Sequence, residues 1–467
     1  MSQVVAGRAP VGARVLGAVG SVLLAVGCYA FNRLPEGTWN DHFAPLRWWR
    51  GLAHAETYGL LLSALGLVLL TLAWALLGRR VRGRPDGVRT VVVTVLVWAV
   101  PLFLAGPVFS GDGWSYVATG YLTGHGHDPY HFGADILPLR LRSGVSPAWL
   151  TTPTPYGPLP LLWGAAFSRV TSNPWVLFDA YRLLALGSLL LLAWAVARLA
   201  RRQGIDPGVA VALACASPFA IAHGIGVMHN DVLMVALGAA ALAIAGERHW
   251  AFAAALVGAS AAVKIPGALF AVGVVLMSLP AGASLVARLG RSVQVGVVAV
   301  VVLLVSGLPA GLGIGWLSAL SVPDSGRVHL SFLAMAAAAF GVKVPTYVST
   351  GIGLLIGAGI LLRWRTGADR TVLVGGALAM LAMTVFSPVV HYWYFLWSVP
   401  VLCALRLSRT WTAVVVAEVA ALGLTAVCDP SLRIGWLSAL GVVGVFGAPL
   451  VAYYVTKARL RTVVTDQ

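Results

Sequence analysis

Apolar runs long enough to cross a bilayer recur from one end of the chain to the other, separated by short polar stretches rich in Arg, Gly and Pro. A helix needs about 20 apolar residues to cross the hydrocarbon core. The pattern predicts spans near 12–31, 57–78, 91–109, 176–198, 209–228, 231–246, 250–264, 266–280, 292–312, 345–363, 371–386, 391–406, 410–427 and 433–456. The first run is followed by no small-residue cleavage site and is kept as a permanent span. The expected fold is an all-α polytopic membrane protein, a single bundle of about 14 transmembrane helices within a range of 12–14. Two places break the regularity. Residues 158–171 are apolar but short and Pro-rich, which predicts a re-entrant or interfacial helix. The pair 250–264 and 266–280 is interrupted at Lys264-Ile265-Pro266, which predicts two half-helices penetrating part-way.

The connecting stretches are not equivalent. Clusters at Arg79–Arg84, Arg198–Arg202, Arg288–Arg291, Arg363–Arg365, Arg406–Arg409 and Lys457–Arg461 all fall on one side of this topology. By the positive-inside rule that side is cytoplasmic, with both termini, in a multi-pass plasma-membrane protein. Composition agrees: 59% hydrophobic and 10% charged residues exclude a soluble globular protein. The balance of 32 Lys+Arg against 16 Asp+Glu measures retained cytoplasmic loops, so nucleic acid is not an expected partner. Cys28, Cys215, Cys403 and Cys428 show no paired spacing, which argues against a disulfide framework, a zinc site or a haem motif.

Sidedness then sorts the polar residues. Of ten histidines only His249 falls inside, and the one long outer loop, 110–157, carries SGDGWSY, GHGHDPYHFG and TTPTPYGPL. A loop of that length in a compact protein is usually functional. Most acids neighbour basic clusters or sit in turns: Asp179 suits an ion pair with Arg182, Asp429 precedes a proline, and Glu418 stands alone within a span. Asp112 and Asp231 remain, each at the outer end of a span. Asp112 reads equally as a catalytic carboxylate and as a cap for the stretch 114–122. His229-Asn230-Asp231 reads as a headgroup contact or as a tight reversal in which Asp231 caps the next helix. Lys264 needs a partner or a lipid phosphate, or else snorkels, and N–H groups freed by Pro266 offer an anion a second hold. In 386–394, Trp393 and Tyr394 suit an interfacial aromatic belt, with His391 as a polar exception. Arg327 and His329 suit a phosphate or saccharide contact, or a solvated turn.

The order D-x-x-S-Y, G-x-D-P-Y, W, T-P-x-P-Y-G-P-L, H-N-D, K-x-P and H-Y-W-Y, running from Asp112 to Tyr394, resembles the actinobacterial polyprenyl-phosphomannose-dependent alpha-1,6-mannosyltransferases of the GT-C class. The resemblance is most specific over 112–159, while 1–80 and 410–467 contribute hydropathy alone. It implies a GT-C-type bundle whose long extracytoplasmic loop carries interfacial helices. It also implies an inverting transferase that moves mannose from a polyprenyl-phosphate-mannose donor to a lipid-anchored mannan or lipomannan-type acceptor on the outer face. Carried onto this chain, the general base is Asp112, with Asp128 in reserve; Lys264, His391 and Arg327 meet the donor phosphate. Tyr116, Asp128, Tyr130, Tyr156, His229, Asn230, Asp231, His329, Tyr392 and Trp393 contribute to donor and acceptor binding. Many GT-C enzymes have an acidic pair in this loop, whereas here Gly113 follows Asp112. No compact carboxylate cluster resembles a hard-metal cage, and a monophosphate leaving group requires no metal in principle, so no cofactor is expected.

The residues alone do not separate mannose from arabinose or another polyprenyl-phosphate sugar. A secondary transporter or flippase is the competing class, and would call for internal repeats and charges deep in several spans. The halves show no repeat, and apart from Glu418 the deep spans are nearly uncharged. A non-enzymatic scaffold would leave the one-sided histidines without a reason.

Overall fold

The computed structural model describes residues 10–246, 248–317, 340–342, 346–367, 371–387, 390–429 and 435–465. Every regular element among them is helical. Helices α1 (Val11–Phe31), α2 (Ala55–Val81) and α3 (Gly87–Ala99) lead into α4 (Asp112–Gly124) and, after a long loop, α5 (Pro158–Ser168). Next come α6 (Pro174–Gln203), α7 (Pro207–Cys215) and a π-wound segment, Ala220–Gly226. The remainder comprises α8 (Asp231–Ile244), α9 (Trp250–Ala261), α10 (Phe270–Met277), α11 (Leu285–Gly307), α12 (Thr346–Arg363), α13 (Val372–Val385), α14 (Arg409–Leu424) and α15 (Gly435–Thr465).

Among the described residues seven helices are long and apolar enough to cross a membrane: α1, α2, α3 with its extension to Leu104, α6, α11, α14 and α15. An eighth is added if α7 and the π-wound segment, bent by 60°, count as one span. Five further expected spans fall on apolar helices of 10–17 residues. At 391–406 there is no continuous helix: Tyr392–Trp397 is 3-10 wound and Val399–Leu402 makes a single α-turn. Pro400, which has no N–H to give the preceding turn, sits at the junction.

Two features brace the bundle. On α1 and α2, Gly20 lies against Gly66 and Gly27 against Gly59, so close that a Cβ on any of the four would come within 2.6–2.7 Å of the opposing carbonyl oxygen. Glycines spaced by two helical turns thus let the backbones touch. The second brace uses arginine. Arg198 and Arg202 donate to the carbonyls of Ala243 (2.7 Å) and Leu242 (3.3 Å) at the end of α8. Arg291 reaches Ser278 O (3.3 Å) just beyond α10, and Arg288 reaches Leu361 O (3.1 Å) and Trp364 O (2.5 Å) at the end of α12. The last carbonyls of a helix have no partner within it, and cations there also suit the helix dipole. The short helices are therefore finished by guanidinium groups from their longer neighbours. Asp206 joins the same end: it caps α7 through the N–H groups of Gly208 and Val209 and accepts from Gly83 N (2.5 Å).

At the opposite end, the irregular stretch before α4 has its carbonyls satisfied by side chains. Asn32 donates to Pro107 O and Val108 O. Arg182, fully buried, donates to Ala105 O (2.6 Å), Gly106 O (2.7 Å) and Gly226 O (3.4 Å), besides its expected contact with Asp179 (3.3 Å). One guanidinium thereby ties together the approaches to Asp112 and to His229. All four cysteines are buried and unbridged.

Candidate active site

Helix α4 begins at Asp112, and neither Asp112 nor the preceding Gly111 caps it through a side chain. The capping reading of Asp112 therefore fails. Its carboxylate instead lines a cleft with Tyr116 one turn along and with Trp149 and Tyr156 from the loop. Gly113 is required by packing, because a Cβ there would overlap Met228 Cε and lie 2.6 Å from the Phe178 ring. The position that carries a second acid in many GT-C enzymes is thus filled by neighbours.

Burial pushes the Asp112 carboxyl up to about 6, against the opposing pulls of Ser110, Lys264 and Trp149. A general base works only when ionised. If Asp112 fills that role, kcat/KM should level off above about pH 6 and fall with decreasing pH below it, since the raised value keeps the proton on until then. A pH–rate profile flat through pH 5 would remove Asp112 from that role.

Met228 takes left-handed backbone (φ 53°), a conformation rare outside glycine, and so turns the chain into His229-Asn230-Asp231. His229 Nδ1 lies 3.7 Å from Asp112 Oδ2 and 3.4 Å from Tyr116 Oη, which meets Tyr156 Oη at 3.1 Å. The His229 ring stacks on Trp393 with centroids 3.9 Å apart, and His391 stacks on the same indole at 4.3 Å. Asp231 opens α8 and, like Asp112, is no cap. Its Oδ1 accepts from Lys264 Nζ (3.0 Å) and Trp397 Nε1 (2.6 Å). The ammonium also lies over the rings of Tyr394 (4.2 Å), Trp397 (5.3 Å) and Tyr156 (5.6 Å). With its side chain 12% exposed, Lys264 is an enclosed ion-pair partner and not a snorkelling residue.

The break after α9 delivers Tyr156 to this group. Pro266 cannot donate to Ala262 O, which instead takes Leu159 N–H (3.0 Å), while Val263 O takes Gly157 N–H (2.9 Å). Of the N–H groups at the break, that of Lys264 is given to Ser260 O and that of Gly267 to Lys264 O.

Other expected site residues lie apart. Asp128 accepts from Tyr130 N (2.9 Å) and His131 Nδ1 (2.7 Å), which organises a turn away from the cleft. Tyr130 supports the site from behind by donating to Tyr156 O (3.0 Å). Tyr392 turns toward α15, where a Cβ on Gly441 would meet its hydroxyl. Asn230 precedes α8, and no cap is made by its side chain. Arg327 and His329 lie outside the described residues. Trp397, Trp149 and Arg182 enter the site unforeseen, because no spacing links Asp231 to a tryptophan 166 residues later. Among the described residues no group of three or more His, Cys, Asp or Glu side chains is placed to hold a metal ion.

The family described as "Alpha-(1->6)-mannopyranosyltransferase, N-terminal domain" matches residues 14–280, and the "MptB C-terminal domain" matches 325–457. The alpha-(1->6)-mannopyranosyltransferase A of Mycobacterium tuberculosis is 32% identical over 427 residues, covering 84% of this chain and 80% of that protein. A probable alpha-(1->6)-mannopyranosyltransferase of Mycolicibacterium smegmatis is 29% identical over 84% of this chain and 78% of its own length. The alpha-(1->6)-mannopyranosyltransferase B of Corynebacterium glutamicum is 26% identical over 83% of this chain and 71% of its own. No solved structure matches the chain significantly. With these matches running through both acid-bearing turns and the lysine break, the chain belongs to the alpha-(1->6)-mannopyranosyltransferase family.

Proposed function

We infer that this protein is an inverting transferase that moves mannose from a polyprenyl-phosphate-mannose donor to a mannan-type glycolipid acceptor, forming an alpha-1,6 linkage on the outer face of the plasma membrane. The observation that carries the reading is the adjacency of Asp112, largely enclosed at the cleft and joined through His229, to the buried Asp231–Lys264 pair under an aromatic lid. Asp112 takes the proton from the acceptor's 6-hydroxyl as that oxygen bonds to the anomeric carbon. The bond from that carbon to the phosphate oxygen breaks, and the lipid monophosphate leaves with its electron pair. Displacement from the opposite face converts a beta-linked donor to an alpha product. Charge accumulating on the leaving phosphate is met by Lys264, whose ammonium has donors beyond the one given to Asp231, and by His391 beside Trp393.

Cytoplasmic termini and an extracytoplasmic cleft follow from the arginine clusters. In this reading the shorter helices, ended by arginines at one face of the bundle and opening on the site at the other, complete a count of about 14 traverses. The 11-residue α5 then serves as the interfacial helix beneath the long loop.

The purified full chain, given polyprenyl-phosphomannose and a short alpha-1,6-mannoside, is expected to release polyprenyl phosphate and lengthen the glycan by alpha-1,6 units. Turnover with polyprenyl-phosphoarabinose in place of the mannosyl donor would overturn the sugar assignment, and absence of transfer from either donor would overturn the reaction.

A further inference from the structure

Helix periodicity puts residues 112, 115, 116 and 119 on one face of α4, and all four line the cleft. Beyond Asp112 the lining offers hydroxyls and rings: Ser115, Tyr116 and Thr119 on the helix, Trp149, Thr152 and Thr154 on the loop opposite. None of these six is charged. The hydroxyls are also unevenly committed. Thr119 Oγ1 gives its proton to Ser115 O (2.9 Å) and Thr152 Oγ1 to Ala148 O (2.7 Å), which leaves lone pairs free to accept. Ser115 Oγ has no hydrogen-bond partner although it is shut off from solvent, an arrangement that costs free energy unless something fills it. The Lys264 ammonium, meanwhile, is paired with Asp231 and lies 5.6 Å over the Tyr156 ring, and it is not among the groups that line the cleft.

We propose that this cleft is the acceptor subsite, in which a neutral pyranose lies along the α4 face with Ser115 and Thr119 as its specificity-determining contacts and Trp149 as an apolar wall. The inference rests on the transferase reading but adds a chemical class and an address to it. A pyranose presents alternating hydroxyl and C–H faces, which this lining of hydroxyls and rings complements. An anionic sugar would meet Asp112 with no cation in the cleft to offset it, so uronates are excluded along with phosphorylated sugars.

The test uses the full-length protein in detergent or bilayer discs. Binding of alpha-1,6-mannotriose is followed by tryptophan fluorescence and by calorimetry, without donor. Acceptor KM and donor KM are measured alongside. Wild-type protein should bind the neutral triose and not the corresponding mannuronate trimer at about pH 7.5, where both Asp112 and the uronates are ionised. Ser115→Ala and Thr119→Val should each weaken triose binding and raise acceptor KM about threefold to tenfold, the effect of one neutral hydrogen bond, with donor KM unchanged. Thr119→Ser should recover most of the loss. Undetectable triose binding to wild type, equal binding of the uronate, or a rise in donor KM with acceptor KM unchanged would each overturn the proposal. Triose binding that is lost in both variants, in a protein that transfers nothing from a polyprenyl-phosphate sugar, would uphold the subsite and sink the transferase reading instead.

Discussion

Asp112→Asn is expected to lower mannosyl transfer about 10²–10⁴-fold, the usual loss when a general base is removed, while the protein still folds and binds its donor. The substitution keeps size and one acceptor oxygen. It also releases a carboxylate from a setting that already resists ionisation, so the fold has little to lose. The structure sharpens the prediction, because Asp112 caps nothing and its carboxylate faces the cleft and His229. Asp128→Asn is the matched control. Asp128 is spent on Tyr130 N and His131, so its loss should loosen a turn and leave turnover within a few-fold of normal. Near-normal transfer by Asp112→Asn, measured as polyprenyl phosphate released per enzyme in a single turnover, would discard the base assignment.

Lys264→Ala should be nearly as damaging, for two reasons that one variant cannot separate. It removes the cation that the proposed mechanism sets against the leaving phosphate, a charge-assisted contact worth about 1.5–3 kcal/mol, or roughly tenfold to a hundredfold in kcat/KM. It also strands the fully buried Asp231 carboxylate, and breaking a buried pair from one side typically costs about 3–5 kcal/mol of stability. The double substitution Lys264→Met with Asp231→Asn separates them. An uncharged pair of similar volume should restore thermal stability toward wild type, and the amide oxygen that replaces the Asp231 carboxylate can still accept from Trp397. Donor kinetics should stay depressed in the double variant. Recovery of both stability and donor kinetics would show that the lysine serves packing alone.

How far the sequence could be read is clearest from individual residues. Hydropathy located the long helices, since each apolar run of bilayer length has its own signal. It did not foresee that 391–406 would stay largely unwound, because Pro400 is a local mark within an otherwise apolar run, and the recruitment of Trp397 by Asp231 acts through a tertiary contact. Asp112 and Asp231 could be singled out by elimination, as acids are scarce and these two stand at span ends. Their separation into two jobs could not, since only the folded chain sets Lys264 against Asp231 and leaves Asp112 at the cleft. Arg182 shows the same limit: an i,i+3 spacing suggests Asp179 as its partner, whereas three carbonyls from two distant turns claim most of the guanidinium. The resemblance reached the site through local motifs, and it missed Trp397 because a lone aromatic in an apolar stretch carries no local mark.

The short helices around Lys264 bear on where lipid can reach. Helix α8 has 14 residues and so rises about 21 Å, well short of the roughly 30 Å of hydrocarbon that α6, with 30 residues, traverses with length to spare. Most of α8 and α10 is buried against neighbouring helices, so protein holds lipid off from these short elements, and the broken backbone with its Lys264–Asp231 pair can sit inside the bundle without meeting acyl chains.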